Sequence, residues 1–149
     1  MTPSELANLL VDTHPGLREI VLSEHESISA VEIAESLQQM CYEVWTEDPQ
    51  QVSAIAETLH FLADKIDNAE VRGYFEWAEA IREIVGGKLA SSIEHIDRSE
   101  KTFSNVGKFH LAAKTQTSKL YSLAMLGRYD EAVDCGKKAL EIFLEHNDL

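Results

Sequence analysis

Proline is scarce in this chain, with three residues in 149, and glycine numbers seven. So few breakers, beside abundant Ala, Leu and Glu, disfavour a turn-rich β architecture and favour helices. Cysteine is rarer still, with Cys41 and Cys135 the only two. Two cysteines in a helical chain make no disulfide framework and read as buried thiols. No apolar run approaches the ~18 residues that a membrane helix needs. The opening segment, MTPSELANLLVDTHP, carries acids and no base, unlike a signal peptide. A cytoplasmic protein with no membrane partner is expected. Bases are also few: 13 Lys and Arg stand against 26 Asp and Glu, for a formal net charge of −13. Residues 1–70 hold 14 acids and two bases, a net −12, which leaves −1 for the remainder. Phosphate is met by clustered cations, so nucleic acid is not an expected partner. The acidic half reads as solvated surface in preference to a dock for a basic protein.

Motifs that carry chemistry are missing too. Of the six histidines, His60 stands four residues before Asp64 and could share a metal with it, but no His-Glu-x-x-His or Cys-x-x-Cys pattern supports a site. His95 and Asp97 lie two apart and point to different sides of a helix. Neither cysteine sits in a nucleophile signature. Gly86-Gly87 ends a helix without the Lys-Ser/Thr of a phosphate loop. Glu79 and Glu83 read as a solvated helix face. The expectation is no catalytic residue, no metal and no cofactor.

What the chain does have is helix punctuation. Thr2-Pro3-Ser4-Glu5 and Ser29 with Glu32 are capping boxes, and Asp48-Pro49 reads as a cap followed by a first helical residue. Apolar stripes then predict two short helices, at 3–11 and 15–24, and six longer ones. Gly87 and Gly127 sit at two of the breaks and set a period of about 40 residues. Laid on itself at that period, the chain matches Val31, Val71 and Leu111 at helix starts, Met40, Ala80 and Leu120 at mid-helix, and Ala63, Phe103 and Phe143 in the second helices. Helix pairs repeating at fixed length imply stacking, because one pair cannot bury both its apolar faces.

The segment Gly127-Arg128-Tyr129-Asp130-Glu131-Ala132-Val133, with Lys138-Ala139-Leu140-Glu141 after it, resembles the second half of a tetratricopeptide (TPR) repeat. Glycine ends the first helix, Tyr129 wedges between helices, and Ala132 and Ala139 permit close crossing. The middle repeat keeps Gly87-Lys88-Leu89 but has Ser92 and Ser99 for the two alanines. The first repeat matches mainly by its place in the period. The period is longer than the family's usual one and resembles arrays in large bacterial regulators. The resemblance implies an all-α fold of about eight helices: antiparallel pairs stacked as a right-handed superhelix, or α-α solenoid. Residues 1–28 would form a cap or groove cover, and three pairs would occupy about 29–68, 69–107 and 108–149.

It also implies a scaffold module that binds a protein or peptide in the groove of the first helices and has no catalysis of its own. Carried over from the turn glycine, the groove residues are Tyr74, Trp77 and Ile81 in the middle repeat and Lys114, Thr117 and Tyr121 in the last. Those of the first repeat are Ala34, Leu37, Cys41, Val44 and Trp45. Several of these are apolar, so the set reads either as an apolar trough covered by the N-terminal helices or as plain inter-helix core. The last helix bears Val133, Leu140, Phe143 and Leu144 with no polar capping helix after it, and His146-Asn147-Asp148 reads as a linker. Two readings stay open from that: a homo-oligomer contact, or the N-terminal sensory part of a larger bacterial effector with, for example, a CHAT protease or ATPase domain beyond residue 149.

Overall fold

Local side-chain capping marks three of the helix starts. Thr2 Oγ1 accepts the Glu5 N–H at 3.1 Å, Ser29 Oγ accepts that of Glu32 at 3.3 Å, and Asn68 Oδ1 that of Val71 at 3.2 Å. Asp48 behaves differently from its expected capping role. Its carboxylate takes the Gln51 side-chain amide at 2.6 Å, and the helix begins one residue later than expected. The computed structural model describes residues 1–145, so the expected linker His146-Asn147-Asp148 lies outside the described residues.

Within them the chain is all-α. Helix α1 spans Pro3–Asp12, and a 3-10 turn, Pro15–Leu17, leads into α2, Arg18–Ser23. Three pairs follow: α3 (Ala30–Val44) with α4 (Gln50–Lys65), α5 (Ala69–Val85) with α6 (Leu89–Asn105), and α7 (Phe109–Met125) with α8 (Tyr129–Glu145). Helices α5 to α8 are 17 residues long each. The turns between them are equally short, and each has a glycine in the left-handed region: Gly87, Gly107 and Gly127, with φ of 79°, 76° and 78°. In the first, Lys88 N–H reaches back to the Glu83 carbonyl at 2.8 Å and Gly87 N–H to Ile84 at 3.1 Å, a Schellman motif that the other two repeat. From α5 to α7 the array is therefore built from equal half-units, each one helix closed by such a glycine. The α3–α4 connection lacks such a glycine and is longer, and α3 and α4 are themselves shorter helices. As a result α3 and α5 start one residue closer together than α5 and α7 do.

From α3 to α8 each helix packs on its sequential neighbour, and α5 also packs on α3 and α7, a solenoid-like stack. Leu37, Ile55, Leu59, Leu62 and Phe103 are fully buried in the main core, while Ile93, Leu123, Ala132 and Cys135 form a smaller cluster among α6, α7 and α8. The serines that replace alanine in the middle repeat also allow close approach, and they bond across it. Ser92 pairs with Ser122 at 2.8 Å, and Ser99 donates to the Gly73 carbonyl at 2.7 Å. Helix α1 buries Leu6, Ala7 and Leu10 against α3 and α4 and makes no packing contact with α5 or α7, so it closes the end of the stack. Arg18, through its Nε, ties the following turn to the Leu10 carbonyl at 2.8 Å. Leu9, Leu17 and Ile20 remain exposed.

Candidate functional site

Side chains from α3 and α7 meet across α5, which makes the face of the first helices concave. Tyr42 and Thr117, 75 residues apart, share a hydroxyl–hydroxyl bond of 2.6 Å. The Trp45 and Tyr121 rings stand edge to face at 5.2 Å. Beneath the first bridge lies Trp77, its ring 5.6 Å from that of Tyr42 and its Nε1–H donating to Ser118 Oγ at 3.1 Å.

The bridge divides the groove into two chambers. One, of about 410 Å³, is lined by Glu35, Gln38, Tyr74, Trp77 and Lys114 among others. The second, of about 390 Å³ and mostly apolar, has Trp45, Ile81, Ile84 and Tyr121 in its wall. Tyr42 and Thr117 belong to both.

All six residues expected in the groove border these chambers, in two layers. Lys114, Thr117 and Tyr121 are exposed at the rim. Tyr74, Trp77 and Ile81 are 3–4% exposed and form the floor, continuous with the core. An open apolar trough is therefore not what the chain has, because its own aromatic bridges fill much of the space. In α3 the expected set is displaced by one residue, except that Trp45 lines the second chamber as expected. Ala34, Leu37 and Cys41 are fully buried, and Glu35, Gln38 and Tyr42 take their places in the groove. The shorter first period accounts for this. Counting back from Tyr74, Trp77, Ile81 and Ile84 by the offset between the starts of α3 and α5 gives Glu35, Gln38, Tyr42 and Trp45.

Gln38 is the polar anomaly of the groove. It is 4% exposed, and neither its amide nitrogen nor its amide oxygen has a hydrogen-bond partner. A buried donor or acceptor left unmet costs about 1–3 kcal/mol, so the floor of the first chamber holds one unmet donor group and one unmet acceptor. Glu35 and Lys114 add one charge of each sign at its edge.

Three other places offer less. A cleft of about 330 Å³ between α6, α7 and α8 is lined by Asp97, Glu100, Lys119 and Cys135 among others. Its polar groups are largely satisfied: Lys119 meets Asp97 at 2.8 Å and Gln116 meets Glu100 at 2.6 Å. Burial pushes the Cys135 thiol up, with Lys119 opposing, and Sγ faces Gln116 with no histidine among the lining residues. That arrangement does not make a thiolate nucleophile. Cys41 is buried, and its surroundings push its thiol up to about 12. His60 and Asp64 are an exposed surface pair at 3.4 Å. Compared with protein-family models, curated proteins and solved structures, the chain gives no match, so the geometry of the groove carries the functional argument.

Proposed function

We propose that this protein is an interaction module of TPR type that holds an extended segment of a partner protein along the face of α3, α5 and α7. The observation that carries the reading is Gln38. An extended backbone presents N–H and C=O groups to its flank, and a carboxamide can answer both. Tyr42, Tyr74 and Trp77 supply a rigid aromatic wall for one side chain of the segment, as at many recognition sites. Glu35 and Lys114 suit a segment of mixed charge. Gln38 is sealed from water in this state, so binding requires the chamber to open, and the Tyr42–Thr117 bond between exposed hydroxyls is the cheapest contact to break.

The test is selection of peptides from a random display library on the intact protein. Binding of the selected peptides should fall about tenfold or more in Gln38→Met, because two hydrogen bonds of about 0.5–1.5 kcal/mol each are lost. Equal binding by Gln38→Met and by Thr117→Trp, which fills the groove, would sink the proposal.

We also propose a second contact, on the outer face of α8. Tyr129, expected to wedge between helices, is instead 67% exposed, and with Val133, Leu140 and Leu144, at 54%, 49% and 54%, it forms one exposed stripe. A row of apolar side chains at helical spacing fits the same row on a second copy, related by a twofold axis.

A further inference from the structure

Glu79 and Glu83, expected on a solvated face, are in fact pressed between α5 and α6, with side-chain exposures of 13% and 17%. They gather with Glu76 around His95 of α6. His95 Nδ1 lies 2.6 Å from Glu76 Oε2. A carboxylate only accepts, so this contact makes Nδ1 the N–H donor. In the neutral ring, Nε2 is then a lone pair, and it faces Glu83 Oε1 at 3.1 Å. Two acceptors at that distance repel unless a proton or a cation stands between them.

Three features favour a metal ion over a proton. A third donor is at hand, because one atom each from Glu79, Glu83 and His95 lie within 4.8 Å of one another. Glu83 Oε2 is buried and has no partner, which a proton on His95 leaves unchanged. The charge is also unbalanced. Three carboxylates face one imidazole, and the cations paired with them among the described residues are Arg82, 3.4 Å from Glu79, and Arg98, 4.0 Å from Glu76, both half exposed. The spacing suits an ion as well. Ligands about 2.0–2.2 Å from a tetrahedral zinc stand roughly 3.3–3.6 Å apart, so Nε2 and Glu83 Oε1 are almost placed and Glu79 needs to swing inward. Glu76 completes the arrangement in which a metal-bound histidine gives its other N–H to a carboxylate.

We propose that Glu79, Glu83 and His95 bind a divalent transition-metal ion, with Glu76 orienting the histidine, and that the ion staples α5 to α6. The nitrogen donor favours zinc over magnesium. Partial exposure of the cluster leaves a coordination position for water.

The experiment is calorimetric titration of the metal-free 149-residue chain with Zn²⁺, paired with thermal unfolding and the visible spectrum of the Co²⁺ form. The expected result is one ion per chain, a higher Tm with zinc, and the intense absorption of four-coordinate cobalt. Glu83→Gln, which keeps the side-chain shape, and His95→Gln should abolish binding. Glu76→Gln should weaken it about 10- to 100-fold. His60→Gln, which alters the exposed pair with Asp64, should leave it unchanged. Absence of stoichiometric binding by the wild-type protein would overturn the proposal and leave the cluster as an ion-pair network. So would retention of binding in Glu83→Gln. The wild-type titration and the cobalt spectrum decide the matter even if His95→Gln does not fold.

Discussion

Replacing Gln38 by methionine should make the protein more stable. The two side chains have nearly the same length and volume and similar helix propensity, so the backbone contribution of α3 is unchanged. The wild-type residue buries an amide nitrogen and an amide oxygen, both unpartnered, at 4% exposure. At about 1–3 kcal/mol for each unmet group, the gross penalty is roughly 2–6 kcal/mol. Small openings of the chamber that admit water relieve part of it, and a net gain of about 1–2 kcal/mol is expected. For a chain of this size each kcal/mol moves Tm by about 2–4 °C, so the rise should be roughly 2–8 °C. Calorimetry and urea unfolding both report it, the latter as a higher midpoint with an unchanged m-value. The same substitution should weaken peptide binding, so stability and function would move in opposite directions at one residue. A loss of more than about 1 kcal/mol in Gln38→Met would refute the reasoning, because it would mean that the amide has partners.

Three further outcomes follow from the packing. A Cβ added at Gly73 would lie 2.8 Å from the Phe103 ring; overpacking of about 1–3 kcal/mol should outweigh the ~1 kcal/mol helix gain of Gly73→Ala. The sign should reverse in a Phe103→Leu background, as read by urea unfolding. Cys41 and Cys135 should resist a thiol reagent until the chain is unfolded. Because the Cys41 thiol is pushed from 9.0 to about 12 in the folded chain, its contribution is flat below pH 9 and lost as pH rises through that window. Cys41→Ala should lose that part of the alkaline slope. Leu140→Glu should abolish any self-association seen by sedimentation at high concentration without lowering Tm, since Leu140 is 49% exposed.

Much of the fold was legible because it rests on local signals. The capping residues Thr2 and Ser29, the turn glycines and the apolar stripes each act within a few residues, and the helices begin and end close to where these signals stand. The even spacing of Gly87, Gly107 and Gly127 was also present in the sequence, but the weak similarity of successive helices conceals it. The groove was harder to read. A one-residue difference between the first period and the second moves the groove position of α3 from Leu37 to Gln38, and only the glycine-free α3–α4 connection hints at it. The Tyr42–Thr117 bridge depends on the curvature of the whole stack, which no local signal fixes. The cluster at His95 escapes any motif because Glu79 and Glu83 lie one helix before it and meet it only when α5 and α6 pack.

The central claim is that the face of α3, α5 and α7 is the one that engages a partner. Amide and side-chain chemical shifts of the labelled protein, followed during titration with a display-selected peptide, test it most directly. The Gln38 carboxamide, the Trp77 indole N–H and the backbone of Thr117 and Tyr121 should shift most. Shifts confined to α4, α6 and α8, with the Gln38 and Trp77 signals unmoved at saturation, would contradict it.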